Sequence, residues 1–328
     1  MINIPLKPMF CNYFLTYKCG STCEFCDFWR VPGFKNVKDK DNFDDIEKNL
    51  LDLKDLGVQY IDFTGGDPLL RDDLPKILSL AKNLGFITMI TSDGRLYNKM
   101  SFEIADMVDY LHFSVDSNEA IEHNRIRGVD SFDAAIAGIK QAKKLKQDPI
   151  INYTVTRENI AALPDMVTMA QKLGVKLYIN PVYNHFGLEG FDDMSIRYLK
   201  RYFNHKNVLV NLAVMAFVKA KGNRAGLKAR CRAAQSVITI TPDNCIVSPC
   251  VFHQKEKIKI EKNLKMLYNS PNVLRAKRYQ GVSEKCEGCM CWPYIVPSFN
   301  YKADNYFALN LLSFGMFWMK SYKGVDVK

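Results

Sequence analysis

Between residues 10 and 180 the hydrophobic positions switch repeatedly from a period of two to a period of three or four and back. Residues 11–18 are rich in aromatic and β-branched side chains and read as a strand. Residues 44–56 place Ile46, Leu50, Leu53 and Leu56 on one helical face, with Gly57 as the stop. A strand at 58–63, a helix at 74–84 closed by Gly85, a strand at 86–91, a helix at 100–107 and a strand at 110–115 follow. Helix 132–145, strand 150–156, helix 163–173 and strand 175–180 continue the series. Strict alternation of this kind implies a parallel sheet covered by helices. Six such units fit within residues 10–212, fewer than the eight of a full barrel. The pattern then changes. Residues 236–241 alternate as a strand, Pro242-Asp243-Asn244 forms a turn, and residues 245–252 offer a hairpin partner. Three parts are expected: 1–212, a small module at 213–300, and an apolar tail at 301–328.

Composition narrows the class. The chain has 328 residues, 48% of them hydrophobic and 24% charged, ordinary for a globular protein with a large core. No run of eighteen apolar residues offers a membrane span, and Met1–Phe10 has no apolar segment of the signal-peptide kind, so a reducing cytoplasm is the expected location. The net charge is +10, densest at Lys219, Lys221, Arg224, Lys228, Arg230 and Arg232. That stretch has no interleaved aromatics on which bases could stack, so it reads as solvated surface rather than a nucleic-acid site.

Cysteine usage alters the picture. Of ten cysteines, nine fall in two groups, 19–26 and 231–291, with Cys11 apart, and such clustering argues for metal. In the first group Cys19, Cys23 and Cys26 are spaced Cys-x3-Cys-x2-Cys. Three thiolates this close can hold one face of an iron–sulfur cluster while leaving one iron open for reaction. A zinc site short of its fourth ligand, or three core thiols, are the simpler alternatives. The spacing, with Phe25 before the last cysteine, resembles the signature loop of the radical S-adenosylmethionine (SAM) enzymes. The resemblance implies a partial (β/α)6 TIM-type barrel, followed here by a small cysteine-rich α+β module. It also implies a 4Fe–4S cluster on these thiols with SAM on the open iron, where one electron splits SAM into methionine and a 5′-deoxyadenosyl radical. A flavodoxin- or ferredoxin-type protein would supply that electron.

Other stretches extend the resemblance. Gly65-Gly66-Asp67-Pro68, at a strand end, is similar to the family's Gly-Gly-Glu-Pro motif, which holds the amino group of SAM; here Asp67 replaces Glu. Ser92 and Asp93 end the next strand, where they fit either ribose hydroxyls or an Asx-type turn. Ser114-Val-Asp116 followed by His123-Asn-Arg125-Ile-Arg127-Gly128 is similar to a Ser-Leu-Asp…His-Asp-x-x-Arg-Gly stretch of the family. Arg127 is then the expected partner of the SAM carboxylate, Asp116 a further expected SAM-binding residue, and His123 a tether. Asn152 and Tyr153 belong to the fifth strand as lining or packing. Cys231, Cys250, Cys286 and Cys289 form Cys-x18-Cys-x35-Cys-x2-Cys, which resembles the twitch module, the short form of the SPASM tail. That implies one auxiliary 4Fe–4S cluster, with Cys291 competing with Cys289 and Cys245 left out. A zinc knuckle uses the same ligand types and stays open as an alternative.

The tail at 306–319 is apolar, and Lys320, Lys323 and Lys328 follow it. Fourteen residues are too short to span a bilayer. A helix packed on the barrel or closing its mouth, an interfacial anchor using Trp318, and a wall for an apolar substrate are the readings open to it. The expected reaction is hydrogen abstraction from an unactivated carbon in a net oxidation. The first expectation for substrate is a small or lipid-like metabolite such as a tetrapyrrole or isoprenoid; the alternative is maturation of a ribosomal peptide.

Overall fold

The computed structural model describes residues 7–26, 28–39, 41–182, 191–226, 229–261 and 263–322, without the side chains of Trp318, Ser321 and Tyr322. Lys228 of the basic stretch, and Trp318, Lys323 and Lys328 of the expected anchor, lie outside what is described. The expected strand–helix alternation is present. Strands β1 (Phe10–Thr16), β2 (Tyr60–Gly65), β3 (Ile87–Ser92), β4 (Tyr110–Ser114), β5 (Ile150–Val155), β6 (Lys176–Pro181) and the two-residue β7 (Val208–Leu209) run parallel in sequence order. Helices Phe43–Leu56, Leu74–Asn83, Tyr97–Ile104, Phe132–Lys144 and Leu163–Leu173 fill the crossovers. Gly57 closes the first of these in a left-handed conformation, φ 88°, its N–H bonded to Leu53 O and Lys54 O.

The small module is joined to the barrel through its own strand. β8 (Val237–Thr241) pairs in parallel with the free edge of β1, Asn12 opposite Thr239. β9 (Cys245–Ser248) returns as its antiparallel hairpin partner, as expected, and β10 (Glu256–Lys259) pairs with β9. One ten-stranded sheet therefore runs through both parts.

Alternation along the barrel strands sorts the core. Ile61, Phe63, Ile90, Phe113, Tyr153 and Leu177 are buried at 2% exposure or less under the outer helices. Their neighbours Asp62, Thr64, Thr91, His112, Asn152, Tyr178 and Asn180 all keep partial solvent contact. Residues i and i+2 share a face, so these form the other, concave side. The rings of His112 on β4 and Tyr178 on β6 stack 6.4 Å apart across the intervening β5, as curvature toward that side requires.

Two expectations need correcting. Arg230, assigned to a solvated basic surface, is 5% exposed. Its guanidinium donates to the carbonyls of Ser298 (2.8 Å), Phe299 (3.0 Å) and Lys302 (3.0 Å) and pairs with Asp304. The apolar tail forms the helix Asn305–Tyr322 packed on the barrel, as one of its readings held, while the readings that set it at the mouth do not fit its C-terminal half. Asn310 accepts from Asn211 Nδ2 at 2.8 Å, and Phe317 meets the Tyr110 ring 6.3 Å away. Lys320 Nζ donates to Val208 O at 2.9 Å. Tyr110 and Val208 open their strands, so the C-terminal half of this helix packs at the end of the barrel opposite the cysteine loop. Leu311, Leu312, Phe314 and Met319 remain exposed on it. Among the described residues no helix is long and apolar enough to cross a membrane. Arg230→Ala leaves Asp304 and three carbonyls without their cation and is expected to cost about 3 kcal/mol, read as a fall in the urea midpoint.

Candidate active site

The first cysteine group follows directly on β1, in a loop whose backbone is fixed from two sides. Gly66 N–H and Asp67 N–H donate to Thr16 O (2.7 Å) and Lys18 O (2.9 Å) on the approach to Cys19. A Cβ on Gly66 would lie 1.8 Å from Lys18 O, so only glycine allows the approach. On the other side Thr22 N–H and Glu24 N–H donate to Arg127 O (3.0 Å) and Ile126 O (3.1 Å), at the end of the helix Ala120–Arg127. Gly128, at φ +65°, packs where a Cβ would meet Thr22 Oγ1 at 2.1 Å. The carbonyl of Cys23 accepts from Trp29 Nε1 at 3.0 Å. Cys19 is exposed, Cys26 half-buried and Cys23 buried. Burial pushes the thiols of Cys19 and Cys26 up to about 11 and about 12, so a bound cation is what would make them thiolates.

The residues expected to hold SAM gather around this loop, and most of their polar atoms already have partners. Asp67 is 3% exposed; Oδ1 accepts from Leu69 N–H at 3.0 Å and Oδ2 from Ser92 Oγ at 2.8 Å. Burial, reinforced by Asp93, raises its carboxyl to about 7. Ser92 Oγ accepts from Gly94 N–H (3.0 Å) and Asp93 Oδ1 from Arg95 N–H (3.1 Å), the turn geometry that was one of the two readings of this stretch. Asp93 Oδ2 also accepts from Ser21 Oγ at 2.7 Å and from the Arg95 guanidinium at 2.8 Å. Arg127 is 7% exposed, with one end paired to Asp116 at 2.6 Å and the other 3.5 Å from Cys23 Sγ. Burial works against its charge and is outweighed by Asp116 and Cys23. Its guanidinium also lies 5.5 Å from the Phe25 ring centre, and its buried Nε has no hydrogen-bond partner. Asp116 is fully buried and also accepts from Thr154 N–H at 2.9 Å. His123 acts as the tether: Nδ1 accepts from Asp116 N–H at 3.2 Å and Nε2 meets Ser131 Oγ at 3.0 Å.

The second group converges as well. Cys231, Cys250, Cys286, Cys289 and Cys291 line one cavity of about 550 Å³, together with Phe34 and Tyr294. Cys245 lies outside it, Sγ 3.6 Å from Asp243 O. The residue that assembles these thiols carries no signal in the sequence. Asn223, 1% exposed, accepts at Oδ1 from Cys231 N–H (3.0 Å) and donates from Nδ2 to Gly281 O (2.9 Å) and Cys286 O (3.2 Å). Its backbone N–H reaches Cys289 O at 3.0 Å. Among the described residues no three Cys, His, Asp or Glu side chains stand ready to grip a single metal ion. The fit to a cluster therefore rests on the thiol-rich lining and not on a formed coordination shell.

Comparison with known proteins follows the same lines. Residues 13–170 match the model of the radical SAM superfamily. The chain belongs to that superfamily. Over 164 residues it is 28% identical to a probable GTP 3′,8-cyclase of Sulfolobus acidocaldarius, covering 49% of this chain and 51% of that one. It thus spans about half the length of the curated relatives it matches. The crystal structure of Streptococcus suis SuiB bound to S-adenosylmethionine superposes on 92% of this chain and 75% of SuiB, with a TM-score of 0.66 at 16% identity. That of anSMEcpe with bound AdoMet covers 96% of this chain and 97% of the other, TM-score 0.63 at 17% identity. At such identities the likeness carries the radical SAM fold, including the strands and cysteine-rich region that follow the barrel.

The superfamily implies a 4Fe–4S cluster and SAM. The three-thiol loop beside a charged Arg127 fits the cluster by its donor set. Asn223→Ala is expected to lower the iron bound after anaerobic reconstitution by about four per chain, with the spectrum of the Cys19 site retained. A second outcome concerns pH. Burial, helped by Arg127, holds His123 down at about 4, whereas the unfolded imidazole titrates near about 6.5. A base depressed in the fold contributes stability above its unfolded pKa that is lost as pH falls toward the folded value. Urea midpoints should therefore drop between about pH 6.5 and 4, at up to about 1.4 kcal/mol per unit from this group, and His123→Gln should flatten part of that slope.

Proposed function

We propose that this chain is a radical SAM oxidoreductase that takes a hydrogen atom from an unactivated carbon of a peptide substrate. The polar lining of the concave face carries the reading. Asp62, Thr64, Thr91, His112, Asn152 and Asn180 keep solvent contact there beside Ile87 and Met89, a mixed surface that offers partners to amides and charges. Two proteins of the same fold have been solved with peptides: SuiB with its precursor peptide SuiA, and anSMEcpe with the Kp18Cys peptide. The expectation of a lipid-like metabolite drew on residues 306–319, whose C-terminal half packs at the far end of the barrel. A nucleoside triphosphate, the substrate class of the curated relatives, would ask for cations. On the concave face of β2–β5 the only acid and base side chains are Asp62 and His112, and burial holds His112 neutral at about 4.

When bound, the cluster with SAM supplies the 5′-deoxyadenosyl radical, and a second cluster supplies a one-electron acceptor that would make the reaction a net oxidation. The chain's own part is placement. Cys19, Cys23 and Cys26 would hold the first cluster; Cys231, Cys250 and Cys286 would hold the second, with Cys289 or Cys291 as the fourth ligand. Arg127, charged and anchored by Asp116, sets positive charge against the Cys23 sulfur. The Gly66 and Asp67 amides lock the strand end, leaving the Gly65–Gly66 edge as the backbone that would meet the amino group of SAM, with Ser92 beside it toward the ribose.

Anaerobic reconstitution tests the reading. Two clusters by iron count and 5′-deoxyadenosine released with dithionite or reduced flavodoxin are expected, and Cys19→Ala should abolish release. Side-chain-deuterated random peptides should pass deuterium into 5′-deoxyadenosine. Label arriving instead from deuterated isoprenoids or tetrapyrroles would restore the apolar substrate.

A further inference from the structure

We infer that Asp62 recognises a cationic group of the substrate, of the guanidinium class, brought onto the concave face of the barrel. The inference rests on the peptide reading only for how that cation is presented. Asp62 stands in the middle of β2, between Ile61 and Phe63, which are both fully buried under the outer helices, so its side chain faces the concave interior.

The buried carboxylates of this barrel have partners. Asp116 has Arg127 at 2.6 Å, Asp41 has Arg71 at 2.7 Å, and Asp93 has Arg95 at 2.8 Å. Asp67 has its three donors, Leu69 N, Ser92 Oγ and Asp93 N. Asp62 has no hydrogen bond and no ion pair among the described residues, and burial alone lifts its carboxyl to about 7. A half-buried acid without a counter-ion is costly to keep charged, and the cost is offset when a ligand brings the cation.

The neighbouring strand adds an unpaired polar atom, and farther round the same face Asn152 Oδ1 on β5 and Asn180 Oδ1 on β6 are buried acceptors with no donor. Asn12, registered directly beside Asp62 on β1, has a buried Nδ2 with no acceptor. A guanidinium carries five N–H donors and no acceptor, which suits Asp62; a peptide carbonyl beside it would satisfy Asn12.

The test is binding to the reconstituted holoenzyme with SAM present. Three probes are titrated: acetyl-Gly-Arg-Gly-amide, the same peptide with citrulline in place of arginine, and agmatine. Citrulline keeps the shape and removes the charge. The arginine peptide should bind about thirtyfold tighter than the citrulline peptide, the lower end for a desolvated charge pair. Asp62→Asn should bring that ratio to near one, whereas Asp62→Glu should keep most of it; unchanged thermal unfolding of both variants separates recognition from folding. Equal affinity of the arginine and citrulline peptides, or no binding of any probe at millimolar concentration, overturns the assignment and leaves the peptide reading to its own label-transfer test. Agmatine binding as tightly as the arginine peptide, and lost in Asp62→Asn, upholds the role of Asp62 while counting against a peptide.

Discussion

The candidate active site depends on a set of backbone hydrogen bonds that hold one loop from both sides. Thr16 O and Lys18 O receive the amides of Gly66 and Asp67, and Arg127 O and Ile126 O receive those of Thr22 and Glu24. These bonds tie the cysteine loop to the end of β2 and to the helix after β4, elements far apart in sequence. Three thiols on a free loop would sample many arrangements, and ordering that backbone costs roughly 1–2 kcal/mol per residue. Here the order is supplied by the sheet, which has to form in any case. The geometry of the barrel and the chemistry of the loop are thereby one folding problem.

Much of this was legible in the sequence because the signals are local. The period of hydrophobic positions located β1 to β6 to within two residues, and Gly57 stops its helix as expected. The cysteine spacings marked both thiol groups. What escaped was what depends on tertiary contact. β7 has only two residues and carries no periodic signal. Arg230 looked like surface because its neighbours in sequence are basic, yet four groups between Ser298 and Asp304 enclose it. Asn223 sits in an unremarkable stretch and becomes central only when residues up to 66 positions away fold back to it. Asp67, Ser92 and Asp116 lie near the loop, but Asp67 and Ser92 bond each other and nearby backbone, and Asp116 bonds Arg127 and Thr154 N–H, contacts that no local sequence signal announces.

The same distinction bears on substrate choice. Apolar composition drew attention to residues 306–319, but composition cannot say which end of a barrel a helix will cover. Alternation along the strands can, once curvature is known. The face of His112 and Tyr178 carries the polar Asp62, Thr64, Thr91, Asn152 and Asn180 alongside the apolar Ile87 and Met89.

The stretch from Phe28 to Phe34 belongs to both thiol groups at once. Phe34 lines the five-cysteine cavity, and its ring also packs 4.6 Å from Phe28 and 5.4 Å from Tyr17, beside the first loop. Phe252, next to Cys250, lies 6.2 Å from Phe28 and 6.0 Å from Phe34. A cluster of aromatic rings thus stands between the first loop and the five-cysteine cavity. A medium of that kind is poorly polarisable by solvent, so charge added on one side is felt on the other with little screening. Were clusters held at both sites, their reduction potentials would in this sense be a joint property of the wall.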